Sequence, residues 1–284
     1  MNHAITRRAL IALAAGCFVV AYWTIFRELI SDWNTDDNYS HGFFIIPLSA
    51  FFLWERRADL AAARQSWSAL GLALVALGIL VLFAGLLGAD RFLPRISLLM
   101  VLTGAVWFVW GWPTLRVAAF PLAFLTLMIP LPALIFNQIA FPLQLLASQA
   151  GELVLAGLGI PVLREGNVII LAHTTLEVAE ACSGIRSLIS LLTLGIVFAY
   201  FTDPRGGVRA FIALSTIPIA IVANAARVAG TGVAAHHYGD AAAQGFFHTF
   251  SGWLVFIVAF ALVLIVARGL LLVLPSRPTA PAPA

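Results

Sequence analysis

The feature that most constrains this chain is a series of apolar runs, each close to the length of a membrane-spanning helix. A helix of about 20 residues crosses the hydrocarbon core of a bilayer, which is about 30 Å thick. Of the 284 residues, 62% are hydrophobic and only 10% are charged. Soluble domains average about 25% charged residues, so an ordinary soluble domain is excluded. The sequence predicts an all-α integral membrane protein, because each helix satisfies its own backbone hydrogen bonds in lipid.

Eight membrane-spanning helices are predicted from the positions of these runs. An even number of crossings would place both termini on the same side of the membrane. The second run reaches spanning length only with its flanking residues Tyr39 and Glu55. The predicted spans cover residues 9–26, 41–54, 69–88, 92–110, 116–135, 182–202, 209–233 and 246–272.

The segment 138–159 is also apolar, but it has a polar stripe at helical spacing. The stripe consists of Gln144, Ser148, Gln149 and Glu152. A helix with one polar face suits the interface between lipid and water better than the hydrocarbon core. The sequence therefore predicts an interfacial helix here rather than a ninth span.

A small extracytoplasmic hairpin is predicted after the interfacial helix. Residues 165–167 (EGN) are a turn signal, and β-rich runs follow at 168–171 and 174–178. The chain from 1 to 274 is predicted to form one polytopic membrane domain. The alternating Pro and Ala of 275–284 predict a disordered tail.

Arginine positions predict the orientation of the chain, because cytoplasmic loops of membrane proteins are enriched in basic residues. With the N-terminus in the cytoplasm, ten of the 16 basic residues fall on the cytoplasmic side and four on the outer side. The ten are Arg7, Arg8, Arg56, Arg57, Arg64, Arg116, Arg205, Arg209, Arg268 and Arg277, and the four are Arg27, Arg91, Arg95 and Arg164.

Two other interpretations of the basic residues are disfavoured. An isoelectric point near 9.3 is typical of nucleic-acid-binding proteins, but these arginines are scattered over short loops, so no nucleic acid partner is predicted. Arg7 and Arg8 precede an apolar run, as in a signal peptide. Bulky residues at 22–26 replace the small residues of a cleavage site, so this segment is predicted to remain as the first span.

Three chemically reactive residues fall at one predicted depth, the outer end of the last three spans. Cys182 begins the sixth span, Arg227 lies near the end of the seventh, and His248 opens the eighth. A thiolate at Cys182 would be favoured by the helix start and by Arg186 one turn later. Arg227 is an ionisable residue in an apolar helix, with Asn224 one turn earlier on the same face.

Each of these residues also has a structural interpretation. Cys182 could be an inert buried cysteine, Arg227 could extend to the lipid headgroups, and His248 could be a polar anchor at the interface. His236 and His237 are alternative proton carriers, since they fall in the adjacent outer loop.

Taken together, a nucleophile, a proton carrier and a fixed cation are the groups required for acyl transfer through a thioester. The other cysteine, Cys17, has no ionisable neighbours and is predicted to be inert. The two cysteines are far apart and show no metal-ligand spacing, so neither a structural disulfide nor a metal site is predicted. The motifs of zinc proteases, serine hydrolases and P-loop NTPases do not occur.

At these residues the sequence resembles the exosortase family, the membrane cysteine transpeptidases related to archaeosortases. Six blocks in order carry the resemblance along most of the chain. They are 38–43 (NYSHGF), 128–132 (MIPLP), 163–167 (LREGN), 179–187 (AEACSGIRS), 224–228 (NAARV) and 247–253 (FHTFSGW).

The resemblance implies that Cys182, Arg227 and His248 are catalytic and that no cofactor is used. Its substrates would be secreted proteins with a C-terminal sorting signal, made of a Pro-Glu-Pro motif, a transmembrane helix and a basic cluster. Such an enzyme would cut near the motif and transfer the protein to an unknown acceptor, in a setting linked to exopolysaccharide and biofilm production. The residues predicted to bind substrate or support the site are Arg186, Asn224, Glu180, Arg164 and His41.

Two further functions compete with the transpeptidase. A plain membrane endopeptidase would use the same nucleophile but would resolve the thioester with water. A transporter or export component is the second alternative, because intramembrane ionisable residues also mark permeation paths. The predicted location is the bacterial inner membrane, with both termini cytoplasmic and the active site at the periplasmic face.

Overall fold

The computed structural model describes residues 2–172, 174–178, 184–239 and 246–274. The predicted tail, 275–284, lies outside the described residues. The chain divides into two compact units, Met1–Ala133 and Leu134–Ala284.

All the described secondary-structure elements of the first unit are helices. Its elements are α1 (Asn2–Ala21), α2 (Trp23–Thr35), α3 (Gly42–Glu55), α4 (Arg57–Ala62), α5 (Ala69–Leu87), α6 (Phe92–Phe124) and a 3-10 turn (Leu125–Met128).

In its described residues, the second unit combines four long helices with a small sheet. Its elements are α7 (Ala133–Gly157), β1 (Val162–Glu165), β2 (Val168–Leu171), β3 (Thr175–Glu177), α8 (Ile185–Thr202), α9 (Gly206–Tyr238) and α10 (Phe246–Val273).

The architecture confirms the predicted all-α membrane fold, with a different number of spans. In the described residues, six helices are long and apolar enough to cross a bilayer, or seven if α1 and α2, bent by 56°, form one span. The predicted number was eight. One reason is α3, whose 14 residues are about 21 Å long and fall short of the hydrocarbon thickness.

The second reason is α6, which covers the predicted span 92–110 and the first part of the predicted span 116–135. Helical geometry is interrupted at Gly111, where φ is +82°. On one side of this break, the amide of Ser66, just before α5, donates to the carbonyl of Trp110. On the other side, the guanidinium of Arg56, at the end of α3, donates to the carbonyl of Val117.

Contacts farther from Gly111 give the direction of each half of α6 relative to its neighbouring helix. Gly85, near the end of α5, packs against Pro94, and His41, at the start of α3, contacts the Leu127 carbonyl at 3.0 Å. The two halves therefore run antiparallel to α5 and α3 respectively. The break in helical geometry at Gly111 falls between the two predicted spans, but by length and composition Phe92–Met128 counts as one candidate span rather than two.

The predicted hairpin is confirmed and is part of a three-stranded antiparallel sheet of order β1-β2-β3. Glu165 pairs with Val168 across the turn, where Gly166 has a φ of +64°. The two β-rich runs became β2 and β3, whereas β1 was not predicted. Its alternating exposed and half-buried residues, VLRE, show no hydrophobic run.

The polar stripe of α7 binds this hairpin. Ser148, which is fully buried, donates to the Gly166 carbonyl at 3.0 Å, and Asn167 donates to Gln144 at 3.3 Å. Glu152 accepts a hydrogen bond of 2.7 Å from Arg164. The predicted polar face is present, and the hairpin covers three of its four residues, while Gln149 is exposed.

By length and composition α7 is a candidate span, with 25 residues, whereas an interfacial helix was predicted. The interfacial position of this helix therefore stays a prediction.

A shared apolar core joins α7, the sheet and the end of α9. The buried members of this core are Ala147, Leu155, Ile160, Ile169, Leu171, Leu176, Val178, Val228 and Ala235. Gly151 allows the close approach, since a Cβ there would lie 2.9 Å from Val228 and 3.1 Å from Ile169. The core fixes the last turns of α9 against the sheet.

A buried ion pair ties α2 to α6 in the first unit. The Arg95 side chain is 3% exposed, and its Nη2 lies 2.7 Å from a carboxylate oxygen of Asp32. Glu28, one turn earlier on α2, lies 3.9 Å away and is 47% exposed. Burial of a guanidinium is costly without a carboxylate beside it, so Asp32 is the main partner of Arg95.

We expect Asp32→Asn to lower the free energy of unfolding by about 2 kcal/mol, because the buried guanidinium loses its nearest charged partner. Glu28→Gln is the matched control and should cost about 0.5 kcal/mol or less, since that pair is longer and solvent-exposed. Thermal unfolding of the purified variants in detergent measures both. Equal losses for the two variants would contradict the assignment of Asp32 as the main partner.

Candidate active site

The candidate site is built around one turn of α9. This helix has 33 residues and is about 50 Å long. Asn224 is 5% exposed and Arg227 is half-buried. The two residues are one turn apart and therefore share a face, as the sequence analysis expected.

Gly184 contacts Asn224 from the start of α8. Its φ is +52° and its ψ is −38°, a conformation that favours glycine. A Cβ on Gly184 would lie 2.8 Å from the amide nitrogen of Asn224, so the two residues touch. Gly184 comes two residues after Cys182, and the contact therefore brings the chain that follows Cys182 to α9.

Gly252 contacts Arg227 from α10. A Cβ at this position would lie 3.0 Å from Nη2 and 3.1 Å from Cζ of Arg227. The guanidinium therefore rests on the glycine surface of α10. Gly252 follows His248 by four residues, and residues at this spacing are neighbours on one helix face.

A small cavity lies beside these contacts. Its volume is about 10 Å³, which is close to the space needed by one water molecule. Polar groups at the cavity come from Ser187, Asn224 and Arg227, and the remaining lining is apolar. The apolar residues are Leu191, Ala220, Ala223, Val255, Phe256 and Ala259.

The amide oxygen of Asn224 is buried and has no hydrogen-bond donor among the described residues. A buried acceptor without a donor costs about 1–3 kcal/mol, so this oxygen is ready to accept a hydrogen bond from a water molecule or a ligand.

The three predicted catalytic residues are described to different extents. Arg227 lies in the site as given above. Cys182 and Glu180 lie outside the described residues. His248 is in the first turn of α10, but its side chain is not among those described. The described contacts thus link α9 to the neighbours of Cys182 and of His248 in sequence.

The other predicted site residues occupy three different places. Arg186 is exposed in the first turn of α8. Arg164 is on the hairpin, where it binds Glu152 and, at 2.9 Å, the Gly166 carbonyl. His41 belongs to the first unit and contacts the Leu127 carbonyl through Nε2.

The alternative proton carriers, His236 and His237, lie in the last turn of α9 with their rings 5.0 Å apart. In the described part of the chain, no group of three His, Cys, Asp or Glu side chains is arranged to hold a metal ion.

No role was predicted for Gly184, Gly252 or Ser187 from the sequence. The two glycines lie within the blocks that carry the family resemblance, yet a glycine has no functional group that would mark it as a site residue. The available signal was spacing: Gly252 is one turn after a candidate histidine, and Gly184 follows a candidate cysteine.

These features define a multi-pass membrane protein in which a guanidinium and a buried amide converge at the packing of three helices. Residues 33–265 match the protein-family model described as transmembrane exosortase (Exosortase EpsH). The chain belongs to the transmembrane exosortase family. All six sequence blocks fall within the matched range, and the predicted resemblance is confirmed. No curated protein and no solved structure matches the chain.

We expect Gly184→Ala to lower the free energy of unfolding by about 2 kcal/mol, from backbone strain at positive φ together with a clash against Asn224. In an Asn224→Ala background the clash disappears, so the same substitution should cost less. Thermal unfolding of the four proteins gives the coupling. The matched control is Gly230→Ala on α9, where no described atom outside the backbone of that helix lies within 4 Å of a new Cβ.

The Gly230→Ala control should be neutral or stabilising, because alanine favours a helix interior. An equal loss of unfolding free energy from Gly184→Ala in the wild-type and Asn224→Ala backgrounds would show that a side chain at position 184 does not clash with Asn224.

Proposed function

We propose that this protein is a membrane cysteine transpeptidase that cleaves the C-terminal sorting signals of secreted proteins and transfers the proteins to an acceptor. The observation that carries the proposal is the pair of glycine contacts at α9. Gly184 against Asn224 and Gly252 against Arg227 link the three motif regions at one helix turn. Membership of the exosortase family supports the same assignment.

In the proposed reaction, the Cys182 thiolate attacks the scissile carbonyl carbon and forms a tetrahedral intermediate. Arg227 stabilises the developing oxyanion, since its guanidinium is held in place by packing before the substrate arrives. His248 donates a proton to the leaving nitrogen as the carbon–nitrogen bond breaks. The product of this half-reaction is a thioester between Cys182 and the secreted protein.

An acceptor nucleophile then completes the reaction. It attacks the thioester carbonyl and gives its proton to His248, and the carbon–sulfur bond breaks to restore the thiolate. Transfer and hydrolysis differ only in the nucleophile, so a water molecule in this step would make the protein an endopeptidase. The chemical nature of the acceptor decides between these two outcomes.

Arginine side chains are the natural partners for the glutamate of a Pro-Glu-Pro motif, because guanidinium and carboxylate form bidentate pairs. The three candidates for this role are Arg164, Arg186 and Arg227, with Asn224, Glu180 and His41 as supporting residues.

The proposed setting is the bacterial inner membrane, with both termini in the cytoplasm and the site at the periplasmic face. Arg205, Arg209 and Arg268 would then lie in the cytoplasm, as the excess of basic residues on that side favours. A sorting helix with a basic inner end would take the same orientation and present its Pro-Glu-Pro motif at the outer surface. The link to exopolysaccharide production is part of this proposal.

The test is co-expression with a secreted reporter that ends in a Pro-Glu-Pro motif, an apolar helix and an arginine cluster. Cys182→Ala should abolish the change in reporter size seen with the wild type, because no thioester can form. Cys17→Ala is the matched control, since Cys17 is an exposed free thiol on α1, and it should leave processing intact. Processing that survives Cys182→Ala would exclude the thiol mechanism and favour a role in transport or export.

The mass of the processed C-terminus distinguishes the two enzymes. A free carboxylate would indicate an endopeptidase, and a larger mass would indicate an attached acceptor.

The role of Arg227 gives a separate prediction. Gly252→Ala should lower the processing rate about tenfold, because the new methyl group displaces the guanidinium by a fraction of an ångström. In an Arg227→Lys background, which is slower itself, the added Gly252→Ala should have little effect, since an ammonium does not occupy the guanidinium plane. Reporter processing rates of the four proteins measure the coupling.

Gly269→Ala lies on the same helix, at a position where no atom of the described residues outside the helix backbone would lie within 4 Å of the new Cβ. It is the control for the helix substitution and should process normally. A tenfold loss from Gly252→Ala both in the wild-type background and in the Arg227→Lys background would contradict the positioning of Arg227 by Gly252.

A further inference from the structure

A second cavity lies at the opposite end of the helices that form the candidate site. It opens between the end of α8 and the end of α10 and has a volume of about 450 Å³. This size falls within the range of small-molecule sites, about 300–1,000 Å³. We call it the basic groove, and its lining residues are Phe198, Thr202, Arg268, Leu271 and Leu272.

The walls of the basic groove are amphipathic. Phe198, Leu271 and Leu272 give an apolar surface, and Leu272 is 88% exposed, so the groove is open to the surroundings of α10. Arg268 supplies the formal charge of the described lining. Thr202 donates its hydroxyl hydrogen to the Phe198 carbonyl at 2.7 Å, so its oxygen can act only as an acceptor toward another molecule.

Arg268 has no carboxylate within ion-pair distance in the described part of the chain. A charged side chain on the rim of an apolar groove is therefore available to a ligand. A ligand that matches both the apolar wall and Arg268 carries a hydrocarbon chain and a negative charge.

The neighbouring loop adds to the positive charge. Asp203 binds Arg205 at 2.7 Å, and this guanidinium lowers the pKa of Asp203 to about 2. Asp203 therefore stays ionised and neutralises Arg205. Arg209 binds the carbonyls of Asp203 and Tyr200, and its guanidinium lies 4.5 Å from the centre of the Tyr200 ring. Arg209 and Arg268 thus leave this end of the helices positively charged.

The basic groove also lies at the end of the apolar helices, where a lipid headgroup would be expected. It begins where α8 ends at Thr202, next to an apolar core that includes Ala199, Val263 and Ala267. A site at the end of apolar helices meets both the acyl chains and the headgroups of a bilayer. Basic pockets between transmembrane helices commonly bind the headgroups of anionic lipids.

We propose that the basic groove binds an anionic phospholipid, with its phosphate at Arg268 and an acyl chain along Phe198 and Leu271. Binding at this site ties the end of α8 to the end of α10. It is independent of the proposed transpeptidase activity, because no residue of the groove takes part in the candidate active site.

The test uses the full-length protein purified in detergent. Phosphatidylglycerol and phosphatidylcholine with identical acyl chains are added separately, and bound lipid is counted by native mass spectrometry while Tm is measured. Phosphatidylglycerol should bind more tightly and raise Tm more than phosphatidylcholine. Arg268→Gln should weaken phosphatidylglycerol binding about fivefold, and Arg268→Lys should keep most of the affinity.

Two controls separate the site from general lipid effects. Arg57→Gln removes an exposed arginine of the first unit, which lies over the Trp54 ring, and should leave binding unchanged. Glycerol phosphate, which has the charge without the acyl chains, should neither bind nor raise Tm. Equal binding of the two lipids, unchanged binding by Arg268→Gln, or an equal effect of glycerol phosphate would each overturn the proposal.

Discussion

Polar side chains on apolar helices are costly in lipid unless a partner covers them, and much of this structure is arranged by that constraint. In the second unit, α7 carries Gln144, Ser148 and Glu152 on one face, and the hairpin supplies a partner for each. In the first unit, the buried Arg95 is matched by Asp32, and the buried hydroxyls of Tyr22 and Ser97 lie 3.1 Å apart. The sheet is therefore part of the packing of α7, because it supplies hydrogen-bond partners for the polar side chains on that helix.

Several of the close helix contacts are made at glycine. On α5, Gly71, Gly78 and Gly85 recur every seven residues and face the first half of α6. Small residues at such contacts are typical of membrane proteins, where packing replaces the hydrophobic effect as the force between helices. Gly184 and Gly252 use the same property for another purpose, since each makes room for a polar side chain. A glycine can therefore shape a site although it has no functional group of its own.

The sequence predicted features that depend on local pattern and missed those that depend on a partner. Hydropathy gave the class of fold and the break near 111, and residues 165–167 gave the turn of the hairpin. The helical period gave the polar face of α7 and the shared face of Asn224 and Arg227. No local pattern states what such a face will touch, so the docking of the hairpin on α7 was not foreseen. For the same reason the short strand β1 and the contact of Gly252 with Arg227 became visible only in three dimensions.

The length of α9 bears on how a chain embedded in the lipid and a water-soluble molecule could both reach Arg227. Its 33 residues exceed what a bilayer of ordinary thickness can cover, so part of the helix must extend into the headgroup layer or into water. Arg227 lies about 32 Å along the helix axis from Gly206, roughly one hydrocarbon thickness from the start. If Gly206 lies at one surface of the hydrocarbon core, Arg227 would lie at the other surface. A chain embedded in the lipid could then approach it from the side and a polar molecule could approach it from the water, without a channel through the protein.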